Sequence, residues 1–247
     1  MENTIFKKYQ VSSYEVDPNR SARLTTLANY FQEIAYIHAG RLEVGYTDLA
    51  NNNAAWILSR MRIRIKKYPV WDDELVVETW PHGIEKIFAL RDFRMRDKQE
   101  DVIAEGSTCW LMVDTKSHRP LRISEDFIHV ETRTDSVFDT MPGKIDLPGD
   151  MHPVYSRQVR YSDLDVVGHV NNVKFIEWAT DALDETLQLS GGILDFTINY
   201  IAEARPGNEA VIFVSEPLDG KYFLQGKSSD GKTEYFRAVA SVQEDRS

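Results

Sequence analysis

Val170-Asn171-Asn172-Val173-Lys174-Phe175-Ile176-Glu177-Trp178-Ala179-Thr180-Asp181-Ala182-Leu183 is the stretch on which the fold turns. Its periodicity predicts a helix over 170–190, closed by Ser190-Gly191-Gly192. The large apolar residues, Phe175, Ile176, Trp178, Ala179, Ala182 and Leu183, fall on more than one side of that helix. A helix resting on a flat surface needs a single apolar stripe; one that is apolar on several sides must be wrapped, as by a curved antiparallel sheet. The flanking sequence supplies the strands, one at 154–161 and others near 193–203, 209–216, 221–227 and 233–243.

The same order of elements occurs once before. Residues 5–13 read as a strand, and the turn Pro18-Asn19-Arg20-Ser21 opens a helix with Leu24, Leu27, Tyr30, Phe31, Ile34 and His38 on one face, bracketed at its end by Gly40 and Gly45. Strands follow near 55–66, 73–81, 86–96 and 102–114, separated by Pro69, by Pro81-His82-Gly83 and by the charged run 97–101. Tyr30-Phe31-Gln32-Glu33 lines up with Lys174-Phe175-Ile176-Glu177. Between the repeats, from about Ile128 to Pro153, the pattern dissolves into Thr, Asp, Pro and Gly, as an interdomain linker does. The expected class is α+β, a tandem double hot-dog in which each half is a curved antiparallel sheet wrapped around a central helix. Its parts are an N-terminal hot-dog domain over 1–130, a linker over 131–153 and a C-terminal hot-dog domain over 154–247.

The charge balance narrows the function. Twenty-nine Lys and Arg against 39 Asp and Glu leave a net charge of −10, which disfavours general affinity for nucleic acid or anionic membrane. Cys109 is the only cysteine, so neither an intramolecular disulfide nor a cysteine-built zinc site is available. No apolar run approaches the roughly 18 residues that span a bilayer, and the N-terminus has no leader pattern, so membrane insertion is not expected and a cytoplasmic location is. No phosphate loop or dinucleotide fingerprint is present, and no cofactor is expected.

The chemistry concentrates in Tyr161-Ser162-Asp163-Leu164-Asp165-Val166-Val167-Gly168-His169-Val170-Asn171-Asn172, two carboxylates, an imidazole and two amides in a strand-to-helix turn. Unpaired N–H groups and the helix dipole favour negative charge there, which is what an acyl-transfer oxyanion needs. Asp163, Asp165 and Gly168 also match positions of a calcium loop, but Val167 and Lys174 stand where two oxygen ligands belong, so no metal is expected. On the residues alone, a helix cap built from Asp165 and Asn171 or Asn172, with His169 as a packing residue, explains the segment as well as a catalytic site does.

The segment resembles the Asp-x-Asn-x-His-Val-Asn-Asn-x-Lys-Tyr motif of the acyl-acyl-carrier-protein thioesterases. The resemblance extends to Trp56 to Met61, Tyr68-Pro69-x-Trp71-x-Asp73, Glu78-Thr79-Trp80, Arg91-Asp92-Phe93, Ala104 to Met112 and Tyr200-Ile201-Ala202-Glu203. It implies a bacterial-type enzyme that hydrolyses fatty acyl-carrier-protein thioesters, with the acyl chain held by the N-terminal half and catalysis in the C-terminal half. Carried over by position, Asp165, His169 and Glu203 are the catalytic residues, with Asn171 and Asn172 in support. Val167 departs from the family's Asn, and Ala204 from the Cys of plant members, which removes a cysteine nucleophile at that position. Catalysis then uses carboxylate and imidazole, by direct attack of Asp165 or, as favoured here, by an activated water. Asp163, two residues before Asp165, is a near decoy on an extended chain.

Phe31, Ile34, Trp56 and Met61 are candidates for the acyl tunnel, with core packing as the default for each. His38 reads more readily as a hydrogen-bonded core histidine. The alternation Arg60-Met61-Arg62-Ile63-Arg64-Ile65-Lys66 directs Arg60, Arg62, Arg64 and Lys66 to one face of a strand. That ridge is either a solvated outer face or a dock for acyl carrier protein, an acidic partner. An acyl-CoA thioesterase and a non-catalytic acyl-binding protein of the same fold are the alternative functions. A fused pair already contains the two-module contact that single hot-dog proteins obtain by dimerising, so monomer and homodimer are both compatible.

Overall fold

A computed structural model describes residues 3–123, 130–187 and 192–243; the end of the second helix with Ser190-Gly191, and the expected start of the linker at Ile128, lie outside them. The chain divides into two compact units, Met1–Pro142 and Gly143–Ser247. In the first, β1 (Ile5–Gln10), α1 (Leu24–Arg41), a short α2 (Tyr46–Ala50), β2 (Ala54–Ile65), β3 (Glu74–Glu85), β4 (Phe88–Arg96) and β5 (Val102–Asp114) form an antiparallel sheet of order β1-β3-β4-β5-β2 against α1. In the second, β6 (Met151–Gln158), α3 (Asn172–Leu187), β7 (Ile193–Tyr200), β8 (Glu209–Ser215), β9 (Lys221–Ser228) and β10 (Glu234–Val242) repeat it as β6-β8-β9-β10-β7. Each unit is a hot-dog.

The period-2 alternation of the strands produces the inner faces. Met61, Ile63 and Ile65 of β2 and Phe93 and Met95 of β4 are buried, and Phe31 of α1 stacks on Phe93 with ring centroids 4.8 Å apart. A Cβ at Gly106 would come within 2.6 Å of the Phe31 ring, so the glycine permits helix and sheet to close. In the second unit Phe175 packs edge-on against Trp178 at 5.1 Å and tilted against Phe236 at 5.6 Å. Each fully buried side chain of this size contributes about 1.5–3 kcal/mol, which offsets the ordering of the helix that carries it.

Three expectations are corrected. Strands were expected over 5–13 and 154–161, but β1 and β6 end at Gln10 and Gln158 and give way to one-turn 3-10 helices at Ser13–Glu15 and Tyr161–Asp163. The cause is local: Glu15 accepts the Ser12 N–H at 2.8 Å and Asp163 accepts the Arg160 N–H at 2.7 Å, which folds the chain back before each long helix. The short α2, between Gly45 and β2, was not foreseen. The pairing of Phe31 with Phe175 is displaced by one helical turn. Tyr9 donates to the carbonyl of Tyr30 and Tyr155 to that of Trp178, so Tyr30 corresponds to Trp178 and Leu27 to Phe175. A one-turn slip preserves the apolar face, which is why the pattern tolerated it.

The stretch expected as a linker is shared between the units. In the first, Arg133 lies over Trp80 at 4.0 Å and pairs with Glu78 and Asp135, Trp80 donates to the carbonyl of Asp135, and Phe138 is buried. In the second, Asn199 accepts the Ile145 N–H at 2.8 Å and donates to the carbonyl of Gly143. The first segment also buries Asp92, whose Oδ2 accepts the Val137 N–H at 3.1 Å while Oδ1 has no hydrogen-bond partner among the described residues. Burial pushes the Asp92 carboxyl above its usual range, partly offset by hydrogen bonding. A folded-state pKa above the unfolded value means that the group costs stability as pH rises through it. Asp92→Asn is therefore expected to match wild type in thermal unfolding below the ordinary carboxyl range and to exceed it as pH rises above that range; a constant gap would contradict the burial account.

Candidate active site

The turn between β6 and α3 is built by its own side chains. Asp165 Oδ1 accepts the N–H groups of Val167 at 3.0 Å and His169 at 3.2 Å, the Asp165 N–H donates to the His169 carbonyl at 2.8 Å, and Gly168, at φ +81°, closes the turn onto the Asp165 carbonyl at 3.1 Å. Leu164 bridges Val170, whose N–H donates to the carbonyl of Ala204 at 3.0 Å. That last bond delivers Glu203 to the turn: His169 Nε2 lies 3.4 Å from Glu203 Oε2, and Arg205 lies 3.4 Å from the same oxygen. His169 and Glu203 retain 30% and 49% side-chain exposure, so the pair is open to a reactant and to water.

The two asparagines have different parts. Asn171 caps α3, its Oδ1 accepting the Val173 N–H at 2.9 Å while its carbonyl takes the Lys174 N–H and its own N–H donates to Asp163. At this helix start the Asn172 N–H has no acceptor among the described residues. Asp163 is structural: fully buried, it receives Arg157 at 3.0 Å and the Arg160 N–H. The structure thus places Asp165, His169, Asn171 and Asn172 in one turn and brings Glu203 up to it. The sequence reading missed Arg205, and a cation two residues from an acidic candidate was the signal for it.

The remaining candidates lie in the first unit. Phe31 and Ile34 are wholly buried and Met61 nearly so, while Trp56 is half-buried with its indole N–H on the carbonyl of Val44 at 2.9 Å. The cationic ridge is partly occupied. Arg60 donates to the carbonyl of Pro142 and lies over Phe88 at 5.0 Å, Arg62 and Arg64 lie over Phe138 at 4.4 and 4.9 Å, and Lys66 pairs with Glu105 at 3.1 Å. Cys109 is buried, and burial pushes its thiol up to about 12, which leaves it without thiolate character at neutral pH. Among the described residues no group of three or more His, Cys, Asp or Glu is placed to hold a metal ion, and no helix is long and apolar enough to cross a membrane.

The first unit carries the same turn with different side chains. Asp17 Oδ1 accepts the Ser21 N–H at 2.9 Å, the Asp17 N–H donates to the Ser21 carbonyl at 2.8 Å, and the Arg20 N–H donates to the Asp17 carbonyl at 3.0 Å with φ 68° at Arg20. Val16 bridges Ala22, whose N–H donates to Pro69 at 2.8 Å as that of Val170 does to Ala204. Position for position, Asp17 stands for Asp165, Ser21 for His169 and Tyr68 for Glu203. The ionisable pair is present only in the second unit.

Two family models match this chain: the acyl-ACP thioesterase N-terminal domain over residues 2–130 and the acyl-ACP thioesterase C-terminal domain over residues 152–243. The chain belongs to the acyl-ACP thioesterase family. This family member is 29% identical over 226 residues to the chloroplastic palmitoyl-acyl carrier protein thioesterase of Arabidopsis thaliana, a match that covers 85% of the chain and 54% of the relative. It thus spans about half the length of the curated relatives it matches. Its fold is similar to that of an acyl-ACP thioesterase from Bacteroides thetaiotaomicron, with a TM-score of 0.87 at 24% identity over 98% of both chains. It is also similar to the 12:0-ACP thioesterase from Umbellularia californica, with a TM-score of 0.84 at 21% identity over 98% of both chains.

Proposed function

We propose that this chain hydrolyses the thioester of fatty acyl-acyl carrier protein, releasing the free fatty acid and the carrier's thiol. Membership of the family supports the substrate class, and the observation that carries the chemistry is the exposed His169–Glu203 pair held at 3.4 Å beside the Asp165 turn. Asp165 Oδ1 already accepts two backbone N–H groups, which stabilise its charge and weaken it as a nucleophile. Water is therefore the attacking group in this reading. His169 and Glu203 take its proton, the carbonyl oxygen develops its charge near the open Asn172 N–H, and the thiolate leaves and is protonated. The reading places catalysis in the second unit and the acyl chain in the first, against Phe31, Ile34, Met61 and Trp56. It also places the protein in the cytoplasm.

The ridge no longer separates carrier-protein from CoA substrates by inspection, because aromatic rings and Glu105 already engage it. Lys66, with 51% side-chain exposure, is the member best placed to meet an acidic carrier. The test is steady-state hydrolysis of matched acyl-carrier-protein and acyl-CoA thioesters. The carrier-protein ester is expected to have the higher kcat/KM. Equal values would reassign the enzyme to CoA esters, and tight binding of an intact thioester without turnover would make it an acyl-binding protein.

A further inference from the structure

Three elements of the first unit bring polar side chains together in its interior. Arg91 of β4 donates through one terminal nitrogen to Nδ1 of His38 on α1, at 2.9 Å, and to the hydroxyl of Thr79 on β3, at 3.3 Å. His38 and Thr79 are wholly buried. A guanidinium only donates, so this histidine nitrogen is the acceptor of a neutral ring. No carboxylate pairs with Arg91 among the described residues, whereas Arg94 and Arg133 of the same unit both meet Glu78. The neighbouring Asp92 is no substitute: its carboxylate lies against the Val137 N–H and 3.9 Å from His82.

A guanidinium largely withdrawn from water without a counter-ion is costly, and proteins retain one where something pairs with it. Burial holds the Arg91 pKa down to about 10, so it stays charged at neutral pH. Arg91 keeps partial exposure while Leu90, Asp92 and Phe93 around it are buried, and its Nε and second terminal nitrogen have no partner among the described residues. Those two nitrogens are the fork that matches a carboxylate. Ile34 and Phe31 lie one and two turns before His38 on the same buried face of α1, an apolar wall leading to a polar end.

We propose that Arg91, with His38 and Thr79, forms a receiving site for the carboxylate of an aliphatic chain. The choice of an aliphatic acid rests on the thioesterase reading, and two sources share its chemistry. One is the free fatty acid that hydrolysis releases; the other is an acyl thioester with a carboxylate at its far end. The experiment has an arm for each. Calorimetric binding of dodecanoate is compared with that of dodecanol, and KM for an ω-carboxydodecanoyl thioester with that for the dodecanoyl thioester, in wild type and in Arg91→Gln.

A charged hydrogen-bonded pair is expected to favour the carboxylate by at least about tenfold in one arm, with Arg91→Gln abolishing the preference and Arg91→Lys keeping part of it. If neither arm shows a preference in wild type, or if the preference survives in Arg91→Gln, the site is overturned. Should the variants not fold, the Nε–H resonance of Arg91 in the unaltered protein decides: it shifts when dodecanoate binds at this site and stays put otherwise. Binding of the free acid needs no turnover, so failure of this site and failure of the hydrolase reading are seen separately.

Discussion

Glu203→Gln is expected to lower kcat for acyl-carrier-protein hydrolysis by about 10²–10⁴-fold while leaving thermal stability within about 0.5 kcal/mol of wild type. The two halves of that expectation come from one geometry. Glu203 is half exposed and among the described residues meets only His169 and Arg205, each at 3.4 Å, and exposed pairs of this kind hold little folding energy. The same carboxylate is the group that can polarise His169 or take a proton from water. Asp165→Asn separates the scaffold from the charge in a complementary way, because an asparagine oxygen can still accept the Val167 and His169 N–H groups. Hydrolysis in ¹⁸O-water, followed from the first turnover onward, tests for attack by a carboxylate. If water attacks the thioester, the label enters the first fatty acid released; label missing from that first product and appearing only on later turnovers would move the attack to a carboxylate.

Asp163→Ala is expected to cost about 2–3 kcal/mol in denaturant unfolding and, through misplacement of the turn, to reduce turnover as well. A wholly buried carboxylate that holds both Arg157 and the Arg160 N–H leaves two donors stranded when it is removed. The loss stays below the largest values for buried pairs because Arg157 keeps 31% side-chain exposure and lies 3.6 Å from Glu177, to which it can turn. Loss of activity with unchanged stability would show instead that Asp163 reaches the reacting atoms. The neighbouring aspartates thus differ by burial: Asp163 carries the fold, and Asp165 shapes the site.

The elements were legible because period-2 and period-3.6 patterns are strong in this chain, and the long helix was legible because Phe175, Trp178, Ala182 and Leu183 recur at i, i+3, i+7 and i+8, which is one broad apolar face rather than several sides. Less legible was where strands stop. Glu15 and Asp163 end β1 and β6 by side chain to backbone hydrogen bonds, a choice that hydrophobic periodicity does not record. The register of the repeat failed for a related reason. Phe-x-Glu recurs by coincidence one turn away, while the true correspondence lies in Glu15-Val16-Asp17 and Asp163-Leu164-Asp165, acidic residues flanking an apolar one. Asp165, His169 and Glu203 were legible through family likeness; their juxtaposition depends on the Val170 to Ala204 bond between distant segments, which no local pattern contains. The ridge was legible as an alternation, but its partners Phe88, Phe138 and Glu105 were not.

The duplicated turn has an evolutionary consequence. Asp17 and Ser21 keep the backbone-to-backbone bonds that close the Asp165 turn and the Ser21 N–H bond to the Asp17 carboxylate, although Ser21 and Tyr68 have neither imidazole nor carboxylate. After a duplication, selection for folding alone would preserve such a frame in the copy whose chemistry had lapsed, since losing it would unseat the long helix. The reacting groups would be free to drift, and the silent copy could be adapted to another task, such as holding the chain. On the reading that places catalysis in the second unit, one copy would stay under selection for reactivity and the other for shape.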